Sequence, residues 1–210
     1  MIFLNRQQAG NLLAAKLKES ELGGDNLLVL AIPRGGVVVG QALAEALNSP
    51  LDIILVKKIG APNNPELAIG AVGAFGEPTL DEELAKKTGA DDNYIKNQIS
   101  KIKIEIQERE KTFRSDKQPL DLKDKIVILT DDGVATGSTV VAAINILRQQ
   151  NPKKIIVAVP VIAKDALAKI ESVADEVVYL EAPEMFFAVG QFYQDFSQIT
   201  DAEVIQLLAP

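Results

Sequence analysis

Five short, mostly apolar runs set the strongest constraint on this chain: residues 27–32 (LLVLAI), 51–56 (LDIILV), 125–130 (KIVILT), 154–161 and 176–180. Runs of this length suit strands buried on both faces, and most of them are separated by stretches in which apolar residues recur at helical spacing. Helices are expected at 5–19, 37–47, 138–149 and 163–172, with Gly23-Gly24 stopping the first. Strands alternating with helices predict an α/β fold, a parallel sheet covered by helices on both faces. Residues 68–75 read as a further strand weakened by Gly70 and Gly73, and 201–208 as a closing helix. A long helix is expected at 91–114, where Ile95, Ile99, Ile102 and Ile106 form one stripe that should be core or subunit interface. Residues 183–196 (PEMFFAVGQFYQDF) hold half of the aromatic side chains. One domain over 1–210 is expected, with 181–210 as a small flap over it.

Composition removes whole classes of chemistry. The chain has no Cys and no His, so disulfides, thiolate metal sites, cysteine nucleophiles and imidazole bases are excluded. Any catalysis has to rest on carboxylates, cations, backbone amides or a metal held by oxygen. With 22 Lys+Arg against 29 Asp+Glu, the net charge of −7 repels nucleic acid over long range, so nucleic acid is not an expected partner. The opening MIFLNRQQAG lacks the basic region and cleavage site of a secretory signal, and no apolar run approaches the roughly 18 residues of a membrane span. A cytoplasmic setting without a membrane partner is the expectation.

In an open parallel sheet, ligands bind outside the carboxyl ends of the strands. Three such ends are unusual here: Pro33-Arg34-Gly35-Gly36, Lys57-Lys58, and the stretch from Thr130 to Thr139 (TDDGVATGST). In the last, a strand runs into two adjacent carboxylates, Asp131 and Asp132, then into a loop of small residues that opens a helix. Small side chains let backbone amides approach an anion, and the helix start and its hydroxyls supply further donors. This is a phosphate cradle beside a carboxylate pair. It is not the lysine-bearing nucleotide loop, because Ser138-Thr139 follows Gly137.

Residues 127–139 (VILTDDGVATGST) resemble the phosphoribosyl pyrophosphate signature of the type I phosphoribosyltransferases. The resemblance extends from about Val29 to Phe196. PRGG at 33–36 resembles that family's pyrophosphate loop, 57–67 its mobile catalytic loop, and the aromatic tail its hood, with Phe187-Ala188-Val189-Gly190 similar to a segment of purine members. Taken together, PRGG, KKIGAPNNPELAIGAV and DDGVATGST are similar to a bacterial branch whose acceptor is unassigned. Gly133 stands where many members carry a larger apolar residue, which predicts a looser loop. Lys164 falls about one residue beyond the base-reading lysine of purine members.

The resemblance implies transfer of the phosphoribosyl group to a nitrogenous acceptor, such as a nucleobase, with release of pyrophosphate. The transition state has oxocarbenium character, which calls for electrostatics more than for a nucleophilic side chain. Asp131 and Asp132 would bind the ribose hydroxyls. Ala135, Thr136, Gly137, Ser138 and Thr139 would hold the 5′-phosphate. Arg34, Gly35, Gly36 and Lys57 or Lys58 would receive pyrophosphate, Lys58 being slightly preferred. Phe187 and Lys164 are candidates for the acceptor side, Phe187 by stacking. The implied cofactor is Mg²⁺ held by substrate oxygens and water rather than by assigned protein ligands. A homodimer is compatible with the pattern. The competing class is a non-catalytic regulator that senses phosphoribosyl pyrophosphate or a nucleotide.

Overall fold

The computed structural model describes residues 1–19, 26–114 and 121–209, so the expected stop at Gly23-Gly24 lies outside the described residues. In chain order it contains α1 (Arg6–Lys18), β1 (Leu27–Ala31), α2 (Gly35–Leu47), β2 (Leu51–Ile53), β3 (Val56–Ala61), β4 (Asn64–Gly73) and β5 (Thr79–Leu80). Then follow α3 (Glu82–Lys87), α4 (Asp92–Arg114), β6 (Ile126–Thr130), α5 (Ser138–Arg148), β7 (Lys154–Val161), α6 (Lys164–Glu171), β8 (Glu176–Glu181) and α7 (Asp201–Leu207). The expected α/β architecture is present. Five parallel strands form one sheet in the order β2-β1-β6-β7-β8.

The inner strands β1, β6 and β7 are almost wholly apolar because both of their faces are covered. Leu27, Val29, Ile128, Ile156 and Ala158 pack with Leu13 and Leu17 of α1 and Val39 and Leu43 of α2. Their neighbours Leu28, Leu30, Val127, Leu129, Ile155 and Val157 pack with Val140, Ile144 and Leu147 of α5 and Ala166 and Ile170 of α6. Alternate side chains thus feed opposite cores, as the two-residue period of a strand requires.

The reading of 51–56 as one strand is corrected. β2 ends at Ile53, and β3 belongs to a second, antiparallel sheet in the order β3-β4-β5. Ile54 packs in the core beneath α5 and α6, whereas Leu55 packs in a third core built from β3, β4 and α4. The run is apolar because its side chains alternate between the two cores, Ile53 and Leu55 in one, Ile54 and Val56 in the other. Lys57 and Lys58 therefore lie within a strand, and most of the stretch read as a loop, 57–67, is a hairpin of β3 and β4 with 62–63 at its turn. The isoleucine stripe of α4 is core, since Ile102 and Ile106 are buried against Ile59, Ile69 and Val72 with Ile95 and Ile99 alongside. Arg114 anchors the far end of α4. It donates to both oxygens of Asp52 on β2, at 3.0 and 3.3 Å, and to the Ile53 carbonyl at 2.6 Å.

The strand order also positions the site. From β1 the chain steps outward to β2, and it later returns on the other side of β1 as β6. The connections leave β1 and β6 in opposite directions, which opens a crevice at their carboxyl ends. Ala31 and Thr130, the last residues of the two strands, are in register.

The tail folds back over this crevice. Phe3 and Tyr193 form a parallel bridge, and Phe3, Val161, Phe192 and Tyr193 build a small core. A Cβ on Gly133 would lie 2.5 Å from Val189 and 2.8 Å from Val161. The space of the larger residue expected at 133 is thus taken by Val189, and the looser loop is corrected to a tightly covered one. No helix among the described residues is long and apolar enough to cross a membrane.

Gly133→Ala is expected to cost about 1–3 kcal/mol in urea unfolding by overpacking. Val189→Ala in the same chain should recover most of that loss. Equal losses in the single and double variants would contradict the packing.

Candidate functional site

Asp131 and Asp132 begin the loop that follows β6, facing the start of α2 across the crevice. The glycines of the PRGG stretch are dictated by this approach. A Cβ on Gly35 would lie 1.8 Å from Asp132 Oδ2, and one on Gly36 would lie 2.8 Å from the Asp131 Cα. No other residue type brings α2 this close to the carboxylates.

The two carboxylates have different surroundings. Asp132 Oδ2 accepts from Arg6 Nε at 2.7 Å, and its carbonyl accepts from the Tyr193 hydroxyl at 2.5 Å. Arg6 is itself buried. It donates to the Ser197 carbonyl at 2.9 Å and lies 3.9 Å from the Phe196 ring centroid. Burial, then the Asp132 charge, pushes the Tyr193 hydroxyl pKa far up, so it stays a donor. Asp131 has no cation of its own within ion-pair distance among the described residues; its Oδ1 accepts from the Asp132 amide at 2.8 Å. Burial, then the like charge of Asp132, raises its pKa well above the ordinary aspartate value.

A cavity of about 200 Å³ opens beside this pair. It is lined by Asp131, by the loop from Gly133 to Gly137, by Thr139 and Val140, and by Val189 from the tail. Gly137 turns the loop with a φ of 78° before α5 starts. The cavity therefore joins one carboxylate, a run of backbone amides, two threonine hydroxyls and a helix start, a set suited to an anion carrying hydroxyl groups. Asp132 and Ser138 do not line it. Ser138 Oγ lies 3.5 Å from Thr136 Oγ1 and opens instead onto a larger cavity of about 480 Å³ along the outer face of α5, near Asn145 and Lys169. That cavity holds neither aspartate of the pair.

The candidate cations are each engaged by an acid. Arg34 lies 3.5 Å from Asp201 on α7. Lys57 bonds to Glu105 on α4, and this bond lowers the Glu105 pKa. Lys57 shares its strand face with Ile59, which packs against α4, whereas Lys58 shares the opposite face with Val56, which packs in the α5 core. Lys58 reaches across the hairpin to Glu66 at 2.7 Å. Lys164, first residue of α6, bonds to Glu184 in the tail. Phe187 is 85% exposed, two residues from Val189, on a tip whose Phe187 and Ala188 amides donate to Gln191 Oε1. The structure thus gathers Asp131, Ala135, Thr136, Gly137 and Thr139 at the cavity, sets Gly35 and Gly36 against the carboxylate pair, and leaves Lys57, Lys58, Ser138, Lys164 and Phe187 outside the cavity. Arg6 escaped the sequence reading; its signal is a charged residue at a position where the α1 periodicity demands burial.

A crevice at the reversal of strand order, lined by one carboxylate and an amide-rich loop, is the site that this α/β fold presents. Residues 3–197 match the family model described as a phosphoribosyl transferase domain. Two strains of Mycobacterium tuberculosis have a protein provisionally named a phosphoribosyl transferase that is 40% identical over 207 residues, 99% of this chain. The chain spans 46% of the length of those relatives. The crystal structure of TT1426 from Thermus thermophilus is 39% identical, with a TM-score of 0.91 over 99% of this chain and 98% of that one. A Neisseria gonorrhoeae protein solved with bound ppGpp shares the fold alone, at 14% identity and a TM-score of 0.56, with 99% and 94% of the two chains covered. This chain belongs to the phosphoribosyl transferase domain family.

Removing Arg6 leaves Asp132 buried and unpaired. Arg6→Ala is expected to lower stability by about 3 kcal/mol in urea unfolding. Asp132→Asn in the same chain should return part of it, and simple additivity would contradict the pairing. Asp131 has the opposite sign. Its raised native pKa means the folded chain holds the proton more tightly than the unfolded one, a stability fully present below about pH 4 and lost as pH rises through the native pKa. The Tm of Asp131→Asn should therefore gain on that of the native protein as pH rises from 4 towards neutrality. A difference independent of pH would refute the raised pKa.

Proposed function

We propose that the chain transfers the phosphoribosyl group of phosphoribosyl pyrophosphate to a small nitrogenous acceptor, a nucleobase being one such class, with release of pyrophosphate. The observation that carries this reading is the cavity in which the Asp131 carboxylate stands beside the loop from Gly133 to Gly137 and Thr139. The loop amides and the Thr136 and Thr139 hydroxyls hold the 5′-phosphate; the Ser138 hydroxyl, expected to join them, opens onto the other cavity. Each well-made bond to a charged group contributes roughly 1.5–3 kcal/mol, so the substrate is anchored away from its reacting carbon. Asp131 faces the ribose hydroxyls, and the positive charge that grows on the ring as the bond to pyrophosphate lengthens favours its carboxylate form, which in turn stabilises that charge. Asp132 acts with it at the strand end while held by Arg6. Arg34 and the Gly35 and Gly36 amides receive the departing pyrophosphate, joined by Lys58 from the hairpin; Lys57 is the alternative, on the α4 face.

Among the described residues no cluster of three or more acids could cage a metal. Two carboxylates beside an anion cradle instead fit Mg²⁺ that arrives on phosphate oxygens with its water, near Asp131. When bound, it offsets the charge of the leaving group. The chain is read as one unit with 181–210 as hood, in which Phe187 faces the acceptor and Lys164 steadies the hood through Glu184.

The test supplies phosphoribosyl pyrophosphate, Mg²⁺ and a panel of nucleobases and other amines, and follows pyrophosphate release and the new N-glycosidic product. At least one acceptor should turn over, and Asp131→Asn should slow that turnover about 100-fold or more. Thr136→Val with Thr139→Val should chiefly weaken substrate binding. Tight binding of phosphoribosyl pyrophosphate with no turnover across the panel would overturn the transferase reading in favour of a regulator that senses it.

A further inference from the structure

Asp201, the first residue of α7, carries an oxygen, Oδ1, that is buried and has no hydrogen-bond partner. Two guanidinium groups from different elements face that one oxygen. Arg34 Nη1, at the start of α2, lies 3.5 Å away, and Arg109 Nη2, near the end of α4, lies 4.0 Å away. Charge-assisted hydrogen bonds close at about 2.7–2.9 Å, so neither arginine is saturated by this contact. Arg114, five residues further along α4, is different. It is buried and fully engaged by Asp52, Glu110 and the Ile53 carbonyl, as a structural arginine should be.

Arg34 and Arg109 also keep access to solvent, with side chains 33% and 46% exposed. The Arg109 guanidinium lies 5.5 Å from the Phe113 ring centroid, which directs it without neutralising it. Arg34 belongs to the PRGG stretch, whose glycines abut the two aspartates, and Arg109 is brought to it by their shared contact with Asp201. One loosely bound carboxylate oxygen does not satisfy two guanidinium groups, whereas an anion with two linked phosphates presents several oxygens over a longer span.

We propose that Arg109 is a second anion-binding residue for the leaving pyrophosphate, and that Asp201 is a displaceable counter-ion holding Arg34 and Arg109 together until that anion takes its place. The proposal rests on the reading of the PRGG stretch as the pyrophosphate loop. It adds a residue from α4 that the sequence motifs do not contain, and it gives the C-terminal helix a part in the site. Asp201 is a positioning residue: it touches the cations, and its carboxylate competes with the ligand.

The test is isothermal titration calorimetry of the full chain with inorganic pyrophosphate and Mg²⁺, for the native protein and for Arg34→Ala, Arg109→Ala, Arg109→Lys and Asp201→Asn. Arg109→Ala should weaken binding about tenfold, with Arg109→Lys in between. Asp201→Asn, nearly isosteric, should tighten binding several-fold, a sign that damage to the fold does not produce. If Arg34→Ala weakens binding while Arg109→Ala does not, the part given to Arg109 is wrong and the pyrophosphate loop stands. If Asp201→Asn binds no more tightly than the native protein, the counter-ion is wrong. If the native protein does not bind pyrophosphate, this proposal falls together with the function it rests on.

Discussion

The ion pair between Arg6 and Asp132 ties together four parts of the chain that are far apart in sequence. Arg6 starts the first helix, Asp132 follows the central strand β6, and Ser197 and Phe196, which hold the guanidinium, belong to the tail. Gly35 closes over the pair from α2, where a single added carbon would collide with the Asp132 carboxylate. A buried pair of this kind is costly to desolvate and pays little net stability, but breaking it strands a charge. Its effect is therefore to fix where the tail and the N-terminal segment lie relative to the end of β6. With Asp132 engaged, Asp131 is left as the carboxylate that faces the cavity, its ionised form disfavoured by burial and by its neighbour. The asymmetry between two adjacent, identical side chains comes from what surrounds them.

The parallel sheet was legible because β1, β6 and β7 are buried on both faces, and double burial leaves a continuous apolar run that needs no tertiary information. The cradle was legible for a related reason: small residues, hydroxyls and acids at a strand end constrain the local backbone. The run 51–56 misled because its side chains go on alternating between two cores past the end of β2 and into β3, so the apolar signal has no break where the strand does. Lys57 and Lys58 were consequently expected at a strand terminus and lie in a hairpin. Arg6, Arg109 and Asp201 were not legible. Each matters through a partner more than 60 residues away; a charge at a buried position of α1 marks Arg6 as paired, but nothing in the local pattern says with what.

The net charge of −7 gains a spatial meaning. Arg34, Lys57, Lys58 and Lys164 are each matched by a carboxylate, Asp201, Glu105, Glu66 and Glu184. All four pairs keep solvent access, where ion pairs contribute little to stability and exchange readily. In the proposed function a compact polyanion would displace such internal partners, so an acidic total does not oppose that reading.

A crystal structure of the chain with phosphoribosyl pyrophosphate and Mg²⁺ tests the central claim most directly. The account predicts the 5′-phosphate on the loop from Ala135 to Thr139, ribose hydroxyls on Asp131, and Asp132 still held by Arg6. Ribose bound to Asp132 with Arg6 displaced, or a phosphate seated outside that loop, would contradict it.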